Sequence, residues 1–432
     1  MNNYSHKKNI STDTFRVLTD FLDWFKLKTI AGGNKGQYFY SMKTTTVLIS
    51  GASIAGPALA FWLHKFGFDV TIVEHASAIR PGGYAVDFRG AVLPVIEQMG
   101  LMDKLRHFET RTGKIKMVDA NNRTTAHFPD GFTSGELEIL RGDLVKVLFE
   151  ATQNTINYIF NDSITALSQD ETGVHVTFRN SRPAKYDLVI GADGVHSKVR
   201  AIAFGDEEKF LSHLGLYIAI FTTPNFLELG MDGLYYGSLG KKVGIFGANQ
   251  GKEARASFYF TSDPLQYDYR DEEQQKMIIR KRFERECWHV PQLLQFMDTA
   301  PDFYFDSISQ IKMDCWSNGR VALVGDAAHC ASPMAGMGTS MAFLGAYVLA
   351  GELHEANGNY TIAFENYERI MRPFVKRCQG LATGTDWFVP NTRIKQWMSQ
   401  QFWKVLPYTP WKNMMIEMPL KIANSISPKV YE

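Results

Sequence analysis

The chain has 432 residues, which allows two to three domains at about 150 residues each. Its 46 Lys and Arg against 45 Asp and Glu leave a formal charge of +1, so no basic surplus points to nucleic acid. With 45% hydrophobic and 21% charged residues the composition is globular, which excludes a disordered chain. The four cysteines, Cys287, Cys315, Cys330 and Cys378, have neither CxxC spacing nor zinc-like pairing, and they read as reduced, mostly buried thiols. No segment reaches the roughly 18 unbroken apolar residues of a membrane span. The N-terminus has no apolar run behind its lysines, so a cytoplasmic location is expected.

In chain order, Phe15, Leu18, Phe21, Leu22 and Phe25 fall at helical spacing, and Gly32-Gly33-Asn34-Lys35-Gly36 ends the pattern. Residues 1–41 therefore read as an N-terminal extension. It is either a surface-binding amphipathic helix or an appendage before the first strand. Thr46–Ser50 is a β-branched run, Pro57–Phe66 is helix-like, and Asp69–Val73 is a second strand, together a βαβ unit. A helix over 91–99, a β-rich stretch over 114–128 and a helix over 143–152 follow. Strands over 157–160, 163–168 and 174–178 suit a meander, and Leu188–Gly191 reads as a buried strand. Residues 209–308 alternate apolar and polar positions, as in an antiparallel sheet, with one helix near 272–287. Arg320–Val324 is again a buried strand, long helices run to about Gln379, and the tail from Asp386 holds Trp387, Trp397, Trp403 and Trp411. Those tryptophans suit either a lid or plain core.

Three constellations carry chemistry. The first is Gly51-Ala52-Ser53-Ile54-Ala55-Gly56, between two strands. A dinucleotide loop needs a tight turn, close backbone approach to the pyrophosphate and tight helix packing, and Gly51, Ser53 and Gly56 fit those roles. The helix opening at Ile54 and Ala55 offers free N–H groups to phosphates. Glu74, at the end of the second strand, can accept both hydroxyls of an adenosine ribose. The second constellation, Gly191-Ala192-Asp193-Gly194, and the third, Gly325-Asp326-Ala327-Ala328-His329, each end a buried strand at a sheet's carboxyl edge. Asp193 and Asp326 can each take a polyol hydroxyl there. Gly336 and Gly338 let backbone come against a flat ring. No nucleophile–base pair and no metal-ligand set is visible. His329 reads as a packing residue, His213 as solvent-facing, and Arg369, Arg372 and Lys376 as a solvated basic face.

These three motifs, in this order and spacing, resemble the single-component FAD monooxygenases, which share the para-hydroxybenzoate hydroxylase fold. The match runs from about Thr45 to Gly380. Gly336-Met337-Gly338-Thr339-Ser340 with Gly345–Gly351 looks most like the tetracycline destructases and polyketide hydroxylases. The resemblance implies an α/β fold: a Rossmann-like FAD-binding domain over 42–208 and 309–385, and an inserted antiparallel substrate domain over 209–308. Part of 84–135 would join the latter. A C-terminal helical tail over 386–432 could act as a lid. It further implies that Gly51, Ser53, Ile54, Ala55 and Gly56 hold the ADP part of FAD and that Glu74 holds the ribose. Asp193 would serve the pyrophosphate and NAD(P)H, and Asp326 the ribityl chain. Gly336, Met337, Gly338 and Thr339 would border the isoalloxazine. Arg141 looks like the arginine contacting the flavin side, Asp87 matches a position beside the flavin, and Arg80 would meet NADPH. Two positions depart from the pattern: Ser53 replaces a glycine, and Ser340 replaces a common asparagine near the ring.

The implied enzyme binds FAD non-covalently and uses NADPH or NADH and O2. It inserts one oxygen atom into an aromatic or polyketide-like substrate, with tetracycline inactivation within its range. It is expected to act as a monomer with no nucleic-acid partner. A geranylgeranyl-reductase-type enzyme on the same FAD frame and a non-enzymatic flavin-binding module are the alternatives.

Overall fold

Runs of Val, Ile and Leu that end at glycine are buried on both faces, and they assemble as parallel strands for that reason. In the computed structural model, which describes residues 44–79, 83–110, 112–129 and 135–432, they form a six-stranded sheet. Its order is Ser317–Asn318, Val321–Leu323, Leu188–Gly191, Thr46–Ser50, Asp69–Val73 and Asn157–Ile159. All pairs are parallel except the Ser317–Asn318 edge. The helices Ala55–Lys65 and Gly338–Glu355 pack together on it, with Leu59, Trp62, Phe343 and Tyr347 in the core. The reading of 1–41 and the role given to Arg80 lie outside the described residues.

A second sheet has seven strands, ordered Phe303–Ile311, Leu211–Pro224, Glu253–Thr261, Lys241–Ala248, Gly233–Ser238, Ile115–Val118 and Thr124–His127. Its pairs are antiparallel except Gly233–Ser238 with Ile115–Val118. Alternation sends Phe221, Phe258 and Phe260 to one face, where Phe283 and Leu293 from two helices cover them. The other face carries Tyr235 and Tyr259, met by Phe388, Trp403 and Leu406 of the C-terminal helices.

Several local expectations change. The strand at Asn157–Ile159 leaves the meander and pairs in parallel with Asp69–Val73, because its neighbour there is the open edge of the first sheet. The meander's third strand is Ala184–Tyr186. The helix expected near 272–287 is Glu272–Phe283, and a second, unexpected helix, Val290–Asp298, follows it after Trp288 at φ 60°. The helix expected from Asp143 begins at Arg141. Arg372 is not simply solvated: it bonds Glu368 and the Met313 carbonyl and lies 4.5 Å over Trp316. His213 is half-buried against Tyr217, with its Nε2 2.9 Å from the Ser262 carbonyl. Cys330 and Cys378 are buried, but Cys287 and Cys315 are exposed.

Candidate active site

The carboxyl ends of four adjacent parallel strands set out the site. Gly51 follows Ser50, Glu74 follows Val73, Asp193 lies just beyond Gly191, and Asp326 just beyond Leu323. At about 4.8 Å between strands, the three carboxylates form a row along one edge.

Steric contacts explain the glycines. Gly51 has φ +108°, and a Cβ there would stand 2.6 Å from the Ala192 carbonyl oxygen. A Cβ on Gly56 would stand 1.9 Å from the Gly51 oxygen. Gly325 is pressed against Ala55, so the first and third motifs touch. Gly336 and Gly338 differ, since a Cβ on either meets no atom within 4 Å. Their backbone borders open space, beside the buried side chains of Met337 and Thr339. The helices starting at Ala55 and Gly338 have no side-chain cap, whereas Asp271, Asn359 and Thr392 cap other helices. The uncapped N–H groups remain available to an anion.

The carboxylates divide by what they already hold. Glu74 accepts from the Ala52 N–H at 2.8 Å and the Ala76 N–H at 2.9 Å, with His75 Nδ1 at 2.8 Å. Burial pushes its carboxyl up, but hydrogen bonds from His75, Ala76 and Ala52 outweigh this and hold it down at about 2. Asp193 is committed to the helix Lys198–Phe204: it accepts from Ser197 Oγ at 2.5 Å and the Lys198 N–H at 2.9 Å. Asp326 is open to solvent through the cleft it lines. The protein around it still pushes its carboxyl up, opposed by Cys330 and by the Arg141 charge.

Arg141 donates to Ser53 Oγ at 2.8 Å, so the serine that replaces a glycine holds an arginine over the loop. Ser340 is fully buried and accepts from the Arg89 backbone N–H at 3.3 Å, which ties the helix start to the strand Ala85–Phe88. Asp87, on that strand, accepts from Arg89 Nη2 at 3.0 Å and the Gly135 N–H at 2.9 Å. It stands opposite Glu138, and burial raises both carboxyls. Arg89 Nε is buried with no partner. His329 packs against Trp316 and reaches the Tyr367 hydroxyl at 3.2 Å, and burial holds it down at about 3, neutral at physiological pH.

The structure adds residues that motif reading missed. A cavity of about 60 Å³ opens between Tyr84, Tyr304, Asp306, Asp326, Ser332 and Pro333. Buried Asp306 lies 3.2 Å from His196 Nε2, and His196 Nδ1 lies 2.8 Å from Glu207. Burial pulls the imidazole down, but its bonds to Asp306 and Glu207 outweigh this and lift it to about 10. The cation straps the second motif to the second sheet. Tyr304 and Asp306 share one parity on the strand Phe303–Ile311, alternating with Phe303 and Phe305, and that alternation was their sequence signal. His196 had none beyond its motif.

An open glycine cradle, uncapped helix starts and a row of carboxylates at a parallel sheet's edge define a dinucleotide-binding flavoprotein, and these residues fit FAD. Residues 44–378 match the family model described as "FAD binding domain", and the chain belongs to that family. More narrowly, it is a flavin-dependent monooxygenase of the single-component, para-hydroxybenzoate hydroxylase-like class, an oxidoreductase. A flavin-dependent monooxygenase of Legionella longbeachae is 39% identical over 395 residues, covering 90% of this chain and 99% of that one. An uncharacterized protein of Mycobacterium tuberculosis is 46% identical over 344 residues, covering 78% and 92%. The crystal structure of tetracycline destructase Tet(51) superposes with a TM-score of 0.80 at 35% identity, covering 90% of this chain and all of that one. Among the described residues no helix is long and apolar enough to cross a membrane.

Proposed function

We propose that this monooxygenase draws electrons from NADPH or NADH and hydroxylates an aromatic or polyketide-like substrate of the tetracycline kind. The observation that carries this reading is the likeness to Tet(51), which spans 90% of the chain at 35% identity. The balanced reaction consumes substrate, O2, NAD(P)H and a proton, and yields hydroxylated substrate, water and NAD(P)+. Bound FAD supplies hydride acceptance and oxygen activation, which no side chain here can supply.

The chain's own residues hold and orient. Gly51, Ser53, Ile54, Ala55 and Gly56 bind the ADP portion, and Glu74 takes the ribose hydroxyls with the lone pairs that Ala52 and Ala76 leave free. Asp326 takes the ribityl chain, because it is the carboxylate in the row that lies open to the cleft. Arg141 faces the flavin side from its seat on Ser53. Gly336, Met337, Gly338 and Thr339 border the ring, and Asp87 stands beside it. Asp193 acts by fixing the helix start next to the pyrophosphate. The cleft lined by Tyr84, Tyr304 and Asp306, on the side of the second sheet that carries Tyr259, receives substrate, and residues 386–432 pack over the rest of that face and exclude water.

The test is incubation of purified protein and FAD in air with NADPH or NADH and a panel of phenols, polyketides and tetracyclines. Substrate-stimulated nicotinamide oxidation with a product heavier by one oxygen atom is expected for a tetracycline. Turnover of simple phenols alone overturns the tetracycline reading, and substrate reduction without O2 uptake overturns the whole proposal.

A further inference from the structure

The last 47 residues carry most of the exposed large apolar side chains among the described residues. On the helix Arg393–Val405, Ile394, Trp397, Met398 and Val405 are all exposed, Trp397 by 63%. At about 100° per residue these four fall within an arc of about 100°. Ser399 and Trp403, on the opposite side, are the buried ones. The helix is therefore apolar on the face turned to solvent as well as on the face turned to protein. The helix Trp411–Ala423 repeats the arrangement: Trp411, exposed by 61%, Met414 and Met418 share an arc of about 60°. Exposed Tyr408 lies in the turn between the two helices.

Cations border both stripes. Lys395 flanks the first on one side and Arg393 and Lys404 on the other, while Lys412 and Lys421 flank the second. Residues 386–432 contain six Lys or Arg against three Asp or Glu. Lys395 pairs with Asp386 and Lys421 with Glu417, but Arg393, Lys404 and Lys412 form no ion pair with any described residue.

We infer that these outward stripes of the C-terminal helices dock on an anionic lipid surface, with Trp397, Trp411 and the methionines entering the headgroup boundary and the flanking cations meeting lipid phosphates. Three physical points carry the inference. Tryptophan and tyrosine combine a large apolar body with a polar tip and suit the water–hydrocarbon boundary. Lys and Arg beside an apolar stripe extend their heads to the phosphates while their stems stay in apolar surroundings. A second copy of the chain would set one net positive face against another, whereas an anionic bilayer complements it.

The test is flotation of the full-length protein with vesicles of phosphatidylcholine alone and of phosphatidylcholine mixed with phosphatidylglycerol. Binding to the mixed vesicles that weakens as salt rises, with little binding to phosphatidylcholine, is expected. Two double variants, Trp397→Ser with Trp411→Ser and Lys404→Glu with Lys412→Glu, should each weaken binding at least about tenfold while keeping the parent's melting temperature. Trp397, Trp411 and Lys404 are exposed and Lys412 is half-buried, so an altered melt in one pair leaves the other as the test. Binding that ignores lipid charge, binding unchanged in both variants, or self-association without vesicle binding overturns the inference. Unchanged binding in the variants would move the lipid contact elsewhere on the chain.

Discussion

The nucleotide edge of the first sheet and the aromatic face of the second are built by different means. At the nucleotide edge, each residue of the first glycine loop and of the carboxylate row lies within a few positions of the strand end that orients it. Its identity is forced by backbone, as when Gly56 meets the Gly51 carbonyl or Glu74 meets the Ala52 N–H. At the aromatic face, Phe128, Tyr235, Phe388 and Trp403 meet from positions far apart in the chain, and only packing brings them together. Local geometry makes the first region intolerant of single atoms. The second should instead respond in proportion to the surface each side chain buries.

The largest expected effect tests the first half of that contrast. In Gly56→Ala the methyl would stand 1.9 Å from a backbone oxygen, which no side-chain rotation relieves. A loss on the order of 5 kcal/mol, or no folded protein, is expected. Gly338→Ala adds its methyl to open space, so the unfolding free energy should hold within about 0.5 kcal/mol. FAD should nevertheless bind at least about tenfold more weakly, since the methyl enters the cradle. Thermal melts and flavin retention measured on both variants decide this. Equal melting losses would show that the cradle is not open.

Next in size is a pair of tryptophans. Trp403 is 6% exposed and packs 4.5 Å from Phe128, so Trp403→Ala should cost about 3–4 kcal/mol. Trp397, on the solvent face of the same helix, should cost less than about 0.5 kcal/mol when changed to alanine. Chemical denaturation separates the two, and similar losses would mean that the outward face of the helix is also packed.

A carboxylate pair comes third. Asp193→Ala removes acceptors from Ser197 and the Lys198 N–H, so it should lower stability by about 1–2 kcal/mol. Asp326→Ala leaves the fold almost untouched and weakens FAD by about 1.5–3 kcal/mol, the usual worth of a hydrogen bond to a charged group. If Asp193→Ala costs FAD affinity without costing stability, the two roles are exchanged.

The same contrast decides what the sequence disclosed. The parallel strands, the three motifs and Glu74 were legible because strand period and glycine spacing are local signals. The departures at Ser53 and Ser340 could be seen but not interpreted. Ser53 bonds Arg141, 88 residues away, and Ser340 bonds the Arg89 backbone, 251 residues away. Asn157–Ile159 was misassigned to the meander for a related reason, since a three-residue strand gives no hint of which edge it joins. The tail tryptophans resisted both readings. Trp403 is core, while Trp387, Trp397 and Trp411 are exposed, and helical spacing alone does not tell an inner face from an outer one when both are apolar.

The smallest expected effect probes the aromatic face through a charge. Lys242 is 6% exposed, with its Nζ 3.9 Å from the Phe388 ring and 5.3 Å from that of Tyr235, and it has no acidic partner among the described residues. Burial pulls its amine down from 10.5 to about 7. Between those two values the unfolded chain binds the proton and the folded chain does not, so stability rises with pH across that window. The cost of the buried charge is therefore full below about pH 7 and gone above pH 10.5. Lys242→Met keeps the bulk and removes the charge, so it should stabilise the protein by about 1 kcal/mol at pH 7. That gain should shrink toward zero by pH 10. Melting temperatures of the two proteins across this range test it. A difference that stays constant with pH would mean that the ammonium is solvated or paired, and that this face is less closed than its packing indicates.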